Sequence, residues 1–322
     1  RKLPCRVISV GNIAVGGTGK TPMAFHVAAT LRAMGCRTVL VSRGYHGEAE
    51  KSGGIVSDGR RLRMEARQAG DEPFMLAMRL KHLAVPVVVG QDRYAAGNLA
   101  SAHFRPEVIV LDDAFQHIRL HRDVDLVMLD ERRPLGNGFL MPRGVLREPP
   151  EALRRCHALV LTSPLRQDEA FESPEVKRIA PHHPIFRAIA RPYVHAVREA
   201  GGRSMATEHP DFELTNLSDK PVFGFYGIAR NERFRTVLQD APCRLKGFMD
   251  FPDHHDYTRE DLHHICRAAS SLGARWLVTT LKDDVRIRQP WPTDIGVIVM
   301  DVTLDLGSQQ DRFRQFLQQR LL

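Results

Sequence analysis

The sequence predicts an α/β protein in two parts: a parallel-sheet domain followed by a smaller α/β domain. Three observations carry that prediction. Apolar runs of four to six residues recur along the chain with helical periodicity between them. Such continuous apolar strands, alternating with helices, indicate a parallel sheet covered on both faces. The alternation is interrupted over 186–218, where strand-like runs flank Gly201-Gly202, and then resumes to the end of the chain. Finally, 322 residues of ordinary globular composition, 43% hydrophobic and 26% charged, suffice for two cores. The predicted organisation is a first domain over 1–185, a β-hairpin linker over 186–218 and a smaller α/β domain over 219–322.

The first element is the apolar strand Val7–Val10. It runs into GNIAVGGTGKTP and then a helical pattern over 22–34 (Met23, Val27, Leu31, Met34). Small residues between a strand and a helix let successive backbone N–H groups point into one concavity, to which the helix adds its positive end. Gly16, Gly17, Thr18, Gly19, Lys20 and Thr21 therefore form a candidate phosphate loop, with Lys20 near the outer phosphates and the Thr21 hydroxyl placed for Mg²⁺. The G-x-x-x-x-G-K-[ST] pattern departs only at Ala14. The first domain is thus P-loop NTPase-like, with a nucleotide and Mg²⁺ as expected ligands.

Strand Thr38–Ser42 comes next, and 43–69 reads as irregular. Gly70-Asp71-Glu72-Pro73 opens a helix over 71–82. By residue type Asp71 is a natural N-cap; the functional alternative is a carboxylate facing the nucleotide as part of a general base. Strand Val85–Val89 and a helix over 92–104 lead to Val108–Asp112, four apolar residues ending in the carboxylates Asp112 and Asp113. An acid at the tip of a buried strand beside a phosphate loop is what Mg²⁺ needs. Strand Asp125–Asp130 has the same form, and Ala158–Thr162 with a helix over 165–178 completes the series. Gln116, His117, Arg119, His121 and Arg122 follow the two acids, and Arg132, Arg133, Arg143 and Arg147 stud the loop over 131–150. Arginine forks suit phosphates and sugar hydroxyls. Interleaved Leu135, Phe139, Leu140, Met141, Val145 and Leu146 make this loop amphipathic. It fits either contact with acyl chains or a membrane surface, or a lid with its own small core.

The linker reads as strands Ile185–Ala190 and Phe212–Leu214. The second domain then reads as strand Val222–Tyr226, helix 230–240, strand Arg244–Met249, helix 258–271, strand Trp276–Thr280, helix 283–288, strand Gly296–Val302 and helix 308–321. Between its second strand and second helix lies FPDHHDYT, in which Thr258 and Asp261 resemble a capping box. His254 and His255, in a loop beside two aspartates, suit proton transfer or metal ligation. His182-His183 and His263-His264 read as solvated pairs. The carboxylate motifs of an Asp-His-His phosphoesterase are missing from this domain, which argues against metal hydrolysis there.

A formal charge of +8 implies anionic partners. Five scattered cysteines without a C-x-x-C pair argue for a reducing compartment and against a zinc site. There is no apolar run of about 18 residues and no secretory signal. The sequence begins at Arg1 rather than methionine, which points to a natural N-terminal segment ahead of it.

Together, SVGNIAVGGTGKTP, SRGYHG, GDEP, VGQDRYAAG, VLDDAFQH-x-RL-x-RD-x-D, RPLGNG, LREP and FPDHHDY closely resemble the tetraacyldisaccharide 4′-kinases of lipid A synthesis, over about residues 7–283. The resemblance implies transfer of the ATP γ-phosphoryl group to the 4′-hydroxyl of a tetraacyl disaccharide 1-phosphate. It implies a monomer in peripheral contact with the cytoplasmic face of the bacterial inner membrane, with the glycolipid entering between two domains and no nucleic-acid partner. It carries the phosphate-loop role onto Gly16 to Thr21, and the metal side onto Asp112 and Asp113 with Glu148 as a third acid. The Asp–His base pair maps onto Asp71 and His254, with His255 as the alternative. Gln116, His117 and Arg147 map onto nucleotide or headgroup contacts. Asp71 would orient His254, the base, and domain closure would complete the site and exclude water.

Three departures from the family pattern stand out: no amphipathic N-terminal stretch, Thr280-Leu281-Lys282-Asp283 for Thr-Glu-Lys-Asp, and Pro142-Arg143-Gly144-Val145 for Pro-Ala-Gly-Pro. Rival readings fit less well. A partitioning or metal-insertion ATPase would carry lysine where Val15 stands, a GTPase would need Asn or Thr where Leu281 stands, and no nucleic-acid module is recognisable.

Overall fold

The computed structural model describes residues 1–163, 173–201, 204–205, 214–227, 231–291 and 294–321. The chain forms two units, Arg1–Arg191 with Thr303–Leu322, and Pro192–Val302.

The first unit is built on β1 (Arg6–Gly11), β2 (Thr38–Ser42), β3 (Gly54–Ser57), β4 (Val87–Val89), β5 (Val108–Asp112), β6 (Val124–Asp130), β7 (Ala158–Ser163) and the start of β8 (Ile185–Arg198). Their order is β8-β7-β6-β1-β5-β2-β4-β3. Every pairing in this run is parallel except β3, which lies antiparallel on β4. The interspersed helices are α1 (Lys20–Ala33), α2 (Ala66–Ala69), α3 (Asp71–Leu80), α4 (Arg93–Phe104) and α5 (Pro174–Ile179).

Strand alternation explains why both faces of this sheet are dry. Ile8, Val10, Val108 and Val110 face one cluster with Val27 and Leu31 of α1 and Leu76 and Leu80 of α3. Val7, Val39, Val41, Ile109 and Leu111 face the other, with Ala96 and Ala100 of α4. Burying each such Val, Leu or Ile contributes roughly 1.5–3 kcal/mol. That is why these strands read as unbroken apolar runs.

The second unit holds β9 (Ser204–Met205), β10 (Pro221–Tyr226), β11 (Arg244–Asp250), β12 (Trp276–Thr280) and the start of β13 (Gly296–Asp305), with helices α6 (Asn231–Asp240), α7 (Arg259–Ser271) and α8 (Leu281–Asp284). Four of its strands run parallel in the order β11-β10-β12-β13. Its core gathers Val222, Tyr226, Leu238, Val278 and Ile298. Met205 and Ser204 pair antiparallel with Val197 and Arg198 of β8, as a hairpin requires. The second expected hairpin strand, Phe212–Leu214, and Gly202 of the turn lie at or outside the edge of the described residues, as does most of the helix expected over 165–178.

The last helix, α9 (Gln310–Leu321), belongs to the first unit, not to the second alternation in which the sequence reading put it. Phe313, Phe316, Leu317 and Leu321 join Ile8, Val10 and Phe186 in one cluster, and Phe186 packs edge-on against Phe313 at 5.1 Å. The segment 43–69, expected to be irregular, contains β3 and α2.

Candidate active site

In an open parallel sheet, ligands bind beyond the carboxyl ends of the strands. β1 and β5 are parallel neighbours in the register Val10↔Asp112, so the phosphate loop and the acid pair leave the sheet side by side. β2 adds Ser42 on the other side of β5.

The loop takes its shape from glycine at left-handed positions: Gly16 has φ 105° and Gly19, which precedes α1, has φ 83°. Thr18 N–H donates to Gly16 O at 3.0 Å. The Asn12 amide donates to Thr18 Oγ1 at 2.9 Å, and Thr162 Oγ1 donates to Thr18 O at 3.2 Å. Lys20 opens α1 with Nζ 3.9 Å from Asp113 Oδ2, and Thr21 follows it in the first turn.

Asp112 is 1% exposed. One of its oxygens accepts from Ser42 Oγ at 3.4 Å, and the other, Oδ1, is buried without a protein hydrogen-bond partner. Burial, then the nearby Glu72 and Asp113 carboxylates, push Asp112 up to about 7, against the pull of Lys20 and Arg93. Arg93 is itself buried, which brings it down to about 10 despite the two acids. Asp113 has φ 47° and receives Arg147 Nη1 at 3.1 Å on both oxygens.

An orphaned buried carboxylate oxygen beside a phosphate loop fits a divalent cation. Among the described residues no three His, Cys, Asp or Glu side chains gather into a ready-made metal cage. Mg²⁺ needs no such cage, since it binds through one or two carboxylates together with substrate phosphates and water. Asp112 offers a carboxylate oxygen of this kind, and Thr21 stands in the first turn of α1 beside Lys20.

Glu148 is already engaged. It accepts from Gln116 Nε2 at 2.8 Å and Arg155 Nη2 at 2.8 Å, and its other oxygen pairs with Arg155 Nη1 at 2.7 Å. Gln116 also donates to Asn12 O at 2.7 Å. Glu148 thus braces Gln116 against the strand leading into the phosphate loop. His117 lines a cavity of about 540 Å³ together with Arg1, Gln91, Asp92, Tyr94 and Arg119, and burial, then Arg93, lowers its basicity.

Asp71 is the first residue of α3 and half-buried. Gly70, with φ 88°, takes the N-cap position and no side chain caps this helix, so the simple capping reading of Asp71 does not hold. Asp71 belongs to the first unit and His254 to the second.

Within the second unit, the DHH loop follows β11. The Thr258–Asp261 box caps α7 as read from sequence. His255 Nε2 meets Asp261 Oδ2 at 3.0 Å, and its ring lies 4.7 Å from Phe251 and 5.0 Å from Tyr257. His254 has φ 63°, donates its N–H to Gly227 O at 3.3 Å, and meets Arg286 Nη2 through Nδ1 at 3.1 Å.

Asp283 organises this region from a fully buried position. It accepts from Gly227 N at 2.9 Å, Tyr257 Oη at 3.1 Å and Thr280 Oγ1 at 2.6 Å, and burial raises it above the usual carboxylate range. A Cβ on Gly227 would sit 3.2 Å from Asp283 Oδ1 and 3.0 Å from Pro252 O, so only glycine lets the carboxylate close on this amide without a shift. Sequence reasoning did not single out Asn12, Ser42, Glu72, Arg93, Asp283 or Arg286. For Asp283 the Thr-x-Lys-Asp motif was the available signal.

The loop over 131–150 is stitched to the phosphate loop. Val15 N–H donates to Val145 O at 2.8 Å, Arg147 N–H to Ile13 O at 2.7 Å, and Ala14 bridges Leu146. Leu135 and Leu146 are buried with Ile13 and Phe115, whereas Phe139, Leu140, Met141 and Val145 are exposed. Arg143 stacks over the Phe139 ring at 3.9 Å. Among the described residues no helix is long and apolar enough to cross a membrane.

Comparison with known proteins gives one consistent answer. The profile of a family described as LpxK, tetraacyldisaccharide-1-P 4′-kinase, matches residues 1–322. The chain is 40% identical over 297 residues to a tetraacyldisaccharide 4′-kinase of Syntrophus aciditrophicus, covering 89% of this chain and 76% of that one. It is 41% identical over 292 residues to one of Geobacter metallireducens, covering 91% and 81%. A crystal structure described as an "apo" form of Aquifex aeolicus LpxK in complex with ATP superposes with a TM-score of 0.76 at 31% identity, covering 100% of this chain and 90% of that one.

Proposed function

This chain belongs to the tetraacyldisaccharide-1-phosphate 4′-kinase family, and from that premise we propose how it acts. It transfers the γ-phosphoryl group of ATP to the 4′-hydroxyl of a tetraacyl disaccharide 1-phosphate, a lipid A precursor. The observation that carries this reading is the pairing of β1 with β5, which sets Lys20 and the loop amides beside Asp112, whose Oδ1 lacks a partner. In phosphoryl transfer, most of the enzyme's work is positioning and charge neutralisation. Gly16 to Thr21 cradle the phosphates, and Lys20 sits against the outer ones. Asp112 and Thr21 would hold Mg²⁺, which would supply charge neutralisation for the transferring phosphoryl group. Asp113, paired with Lys20 and Arg147, holds those two cations toward the phosphates and is the second acid on the metal side. Glu148 acts here through Gln116 and Arg155.

A sugar hydroxyl is a weak nucleophile, so its proton needs an acceptor within about 3 Å. Asp71 and His254 form that couple. Of the histidine pair, His255 is held by Asp261, and the resemblance maps the role onto His254. Arg147, Gln116 and His117 take the nucleotide or the headgroup. The exposed Phe139, Leu140, Met141 and Val145, flanked by Arg132, Arg133 and Arg143, suit peripheral contact with an anionic bilayer, here the cytoplasmic face of the inner membrane.

A switch-type ATPase is the weaker reading, because Val15 stands where that class carries lysine and its N–H is bound to Val145 O. The test is transfer of labelled γ-phosphate from ATP to the disaccharide lipid in mixed micelles. Lys20→Ala, Asp71→Ala and His254→Ala are each expected to lose transfer. Full activity in both Asp71→Ala and His254→Ala would remove the base couple while leaving the kinase reading in place.

A further inference from the structure

We propose that the amino-terminal edge of the second unit's sheet carries a phosphate-anion site, separate from the site of phosphoryl transfer. Its ligand class is a phosphate or pyrophosphate group, free or borne on a lipid headgroup. Pro221, Arg244, Lys246, Gly273 and Arg275 line a cavity of about 330 Å³ there, within the size range of small-ligand sites. Pro221 opens β10, Arg244 opens β11 and Arg275 immediately precedes β12. The parallel register explains why they meet. Pro221 pairs with Arg244, and Val222 with Trp276, so the three strand starts stand abreast. At the usual spacing of neighbouring strands, the backbones of Arg244 and Arg275 are about 10 Å apart.

Local structure gathers the cations at this cavity. Between Val222 and Phe223 the register slips, leaving Lys246 as an extra residue of β11, the mark of a β-bulge. Leu245 packs toward the core that holds Phe234 and Leu238 of α6. Strand alternation then turns Arg244 and Lys246 to the opposite face, where Gly273, after α7, also lines the cavity. A Cβ on Gly273 would meet nothing within 4 Å, so the cavity is open at that point. Arg244 Nε donates to Asp219 O at 2.7 Å, which fixes the guanidinium from one side. The Lys220 ammonium lies over the Trp276 ring at 5.1 Å, beside the same strand starts. Among the described residues, none of Lys220, Arg244, Lys246 and Arg275 forms an ion pair with a carboxylate.

Edge protection does not account for this set. Charged side chains commonly guard an edge strand, and β11 is the edge strand of its sheet. That reason covers Arg244 and Lys246, but Lys220 and Arg275 lead into β10 and β12, which have strands on both sides. Like charges held together repel, and a bound anion relieves that repulsion. Guanidinium forks suit phosphate oxygens in particular. The lining offers no aromatic ring and only Pro221 as an apolar side chain, so a nucleobase or an acyl chain has nothing to rest on. The DHH loop follows the far end of β11, whose seven residues put about 20 Å between Arg244 and the start of that loop.

The test uses the full chain carrying Trp291→Phe, so that tryptophan emission reports Trp276. Titration with pyrophosphate, at low salt and without divalent metal, is expected to change that emission saturably, and to do so equally when Lys20→Ala is added. Arg244→Ser together with Arg275→Ser should weaken the binding at least about tenfold. Sedimentation with phosphatidylcholine vesicles, with and without phosphatidylglycerol, identifies the source of the phosphate. Weaker sedimentation of the double variant with the anionic vesicles alone assigns a lipid headgroup. Pyrophosphate binding with unchanged sedimentation assigns a free anion. Phosphate transfer to the disaccharide lipid in micelles should be unchanged in a double variant that keeps the wild-type urea midpoint; its loss would make these cations part of the transfer site and overturn the proposal. Should the double variant not fold, Lys246→Glu, which brings a carboxylate to the cavity, is expected to weaken pyrophosphate or anionic-vesicle binding in its place. Wild-type titration and wild-type sedimentation in either protein overturn the proposal, as does a Trp276 response abolished by Lys20→Ala.

Discussion

Replacing Asp112 by asparagine should change how the stability of the nucleotide-free protein depends on pH. Asp112 is 1% exposed, and burial with two neighbouring carboxylates raises it from 3.8 to about 7. A carboxyl raised on folding binds more protons in the native chain than in the unfolded one, so stability must fall as pH rises between the two pKa values. The contribution is intact below about pH 4 and lost above about pH 7. About three pH units at ~1.4 kcal/mol each puts the loss near 4 kcal/mol. The assay is urea unfolding of wild type and Asp112→Asn at intervals from about pH 4 to about pH 8, read as the difference between the two. A constant offset from the new amide cancels in the slope. The variant should gain on wild type by several kcal/mol across the window, and the affinity of wild type for Mg²⁺·ATP should climb over the same range. A flat difference curve would refute the reasoning, because no buried acid would then be ionising against its surroundings.

Three further outcomes follow from the same geometry. Leu317→Ala, in a helix packed against the phosphate-loop unit, should destabilise by about 2–5 kcal/mol in urea unfolding; a loss below about 0.5 kcal/mol would mean the helix is peripheral. Gly19→Ala forces a side chain into φ 83° with its Cβ 3.3 Å from Thr162 Cγ2. It should cost about 1–2 kcal/mol in stability and weaken ATP binding measured by calorimetry. Converting Phe139, Leu140 and Met141 together to serine should weaken sedimentation with anionic vesicles about tenfold while leaving the urea midpoint unchanged. Equal vesicle binding would separate this loop from the membrane.

What was legible in the sequence is what burial on both faces dictates. β1, β2, β5 and β7 appear as apolar runs because, apart from Arg6 and Ser163 at their ends, their residues are buried, and the phosphate loop shows because glycine and lysine have few other reasons to adjoin there. β3 was invisible: four residues on a sheet edge, GIVS, carry too little hydrophobic signal to stand out in a polar stretch. The C-terminal helix was read correctly as a helix but grouped by sequence order, whereas its phenylalanines fill the core behind β1. Asp71 looked like a cap because aspartate favours that position, yet Gly70 occupies it. Asp283 had only the Thr-x-Lys-Asp motif to announce it and Arg286 had none, because contacts such as that of Arg286 with the Gly227 carbonyl join residues far apart in sequence.

The placement of α9 bears on how the molecule is made. Pro192–Val302 is an insertion in the order of synthesis: a ribosome completes the second unit before it delivers the helix that closes the first. Until then Ile8, Val10 and Phe186 lack part of their cover. The nascent nucleotide unit must wait, open on one flank, for Thr303–Leu322. A chain released early at any point before that helix would carry every residue of the phosphate loop and still be a substrate for chaperones and proteases before it could be an enzyme.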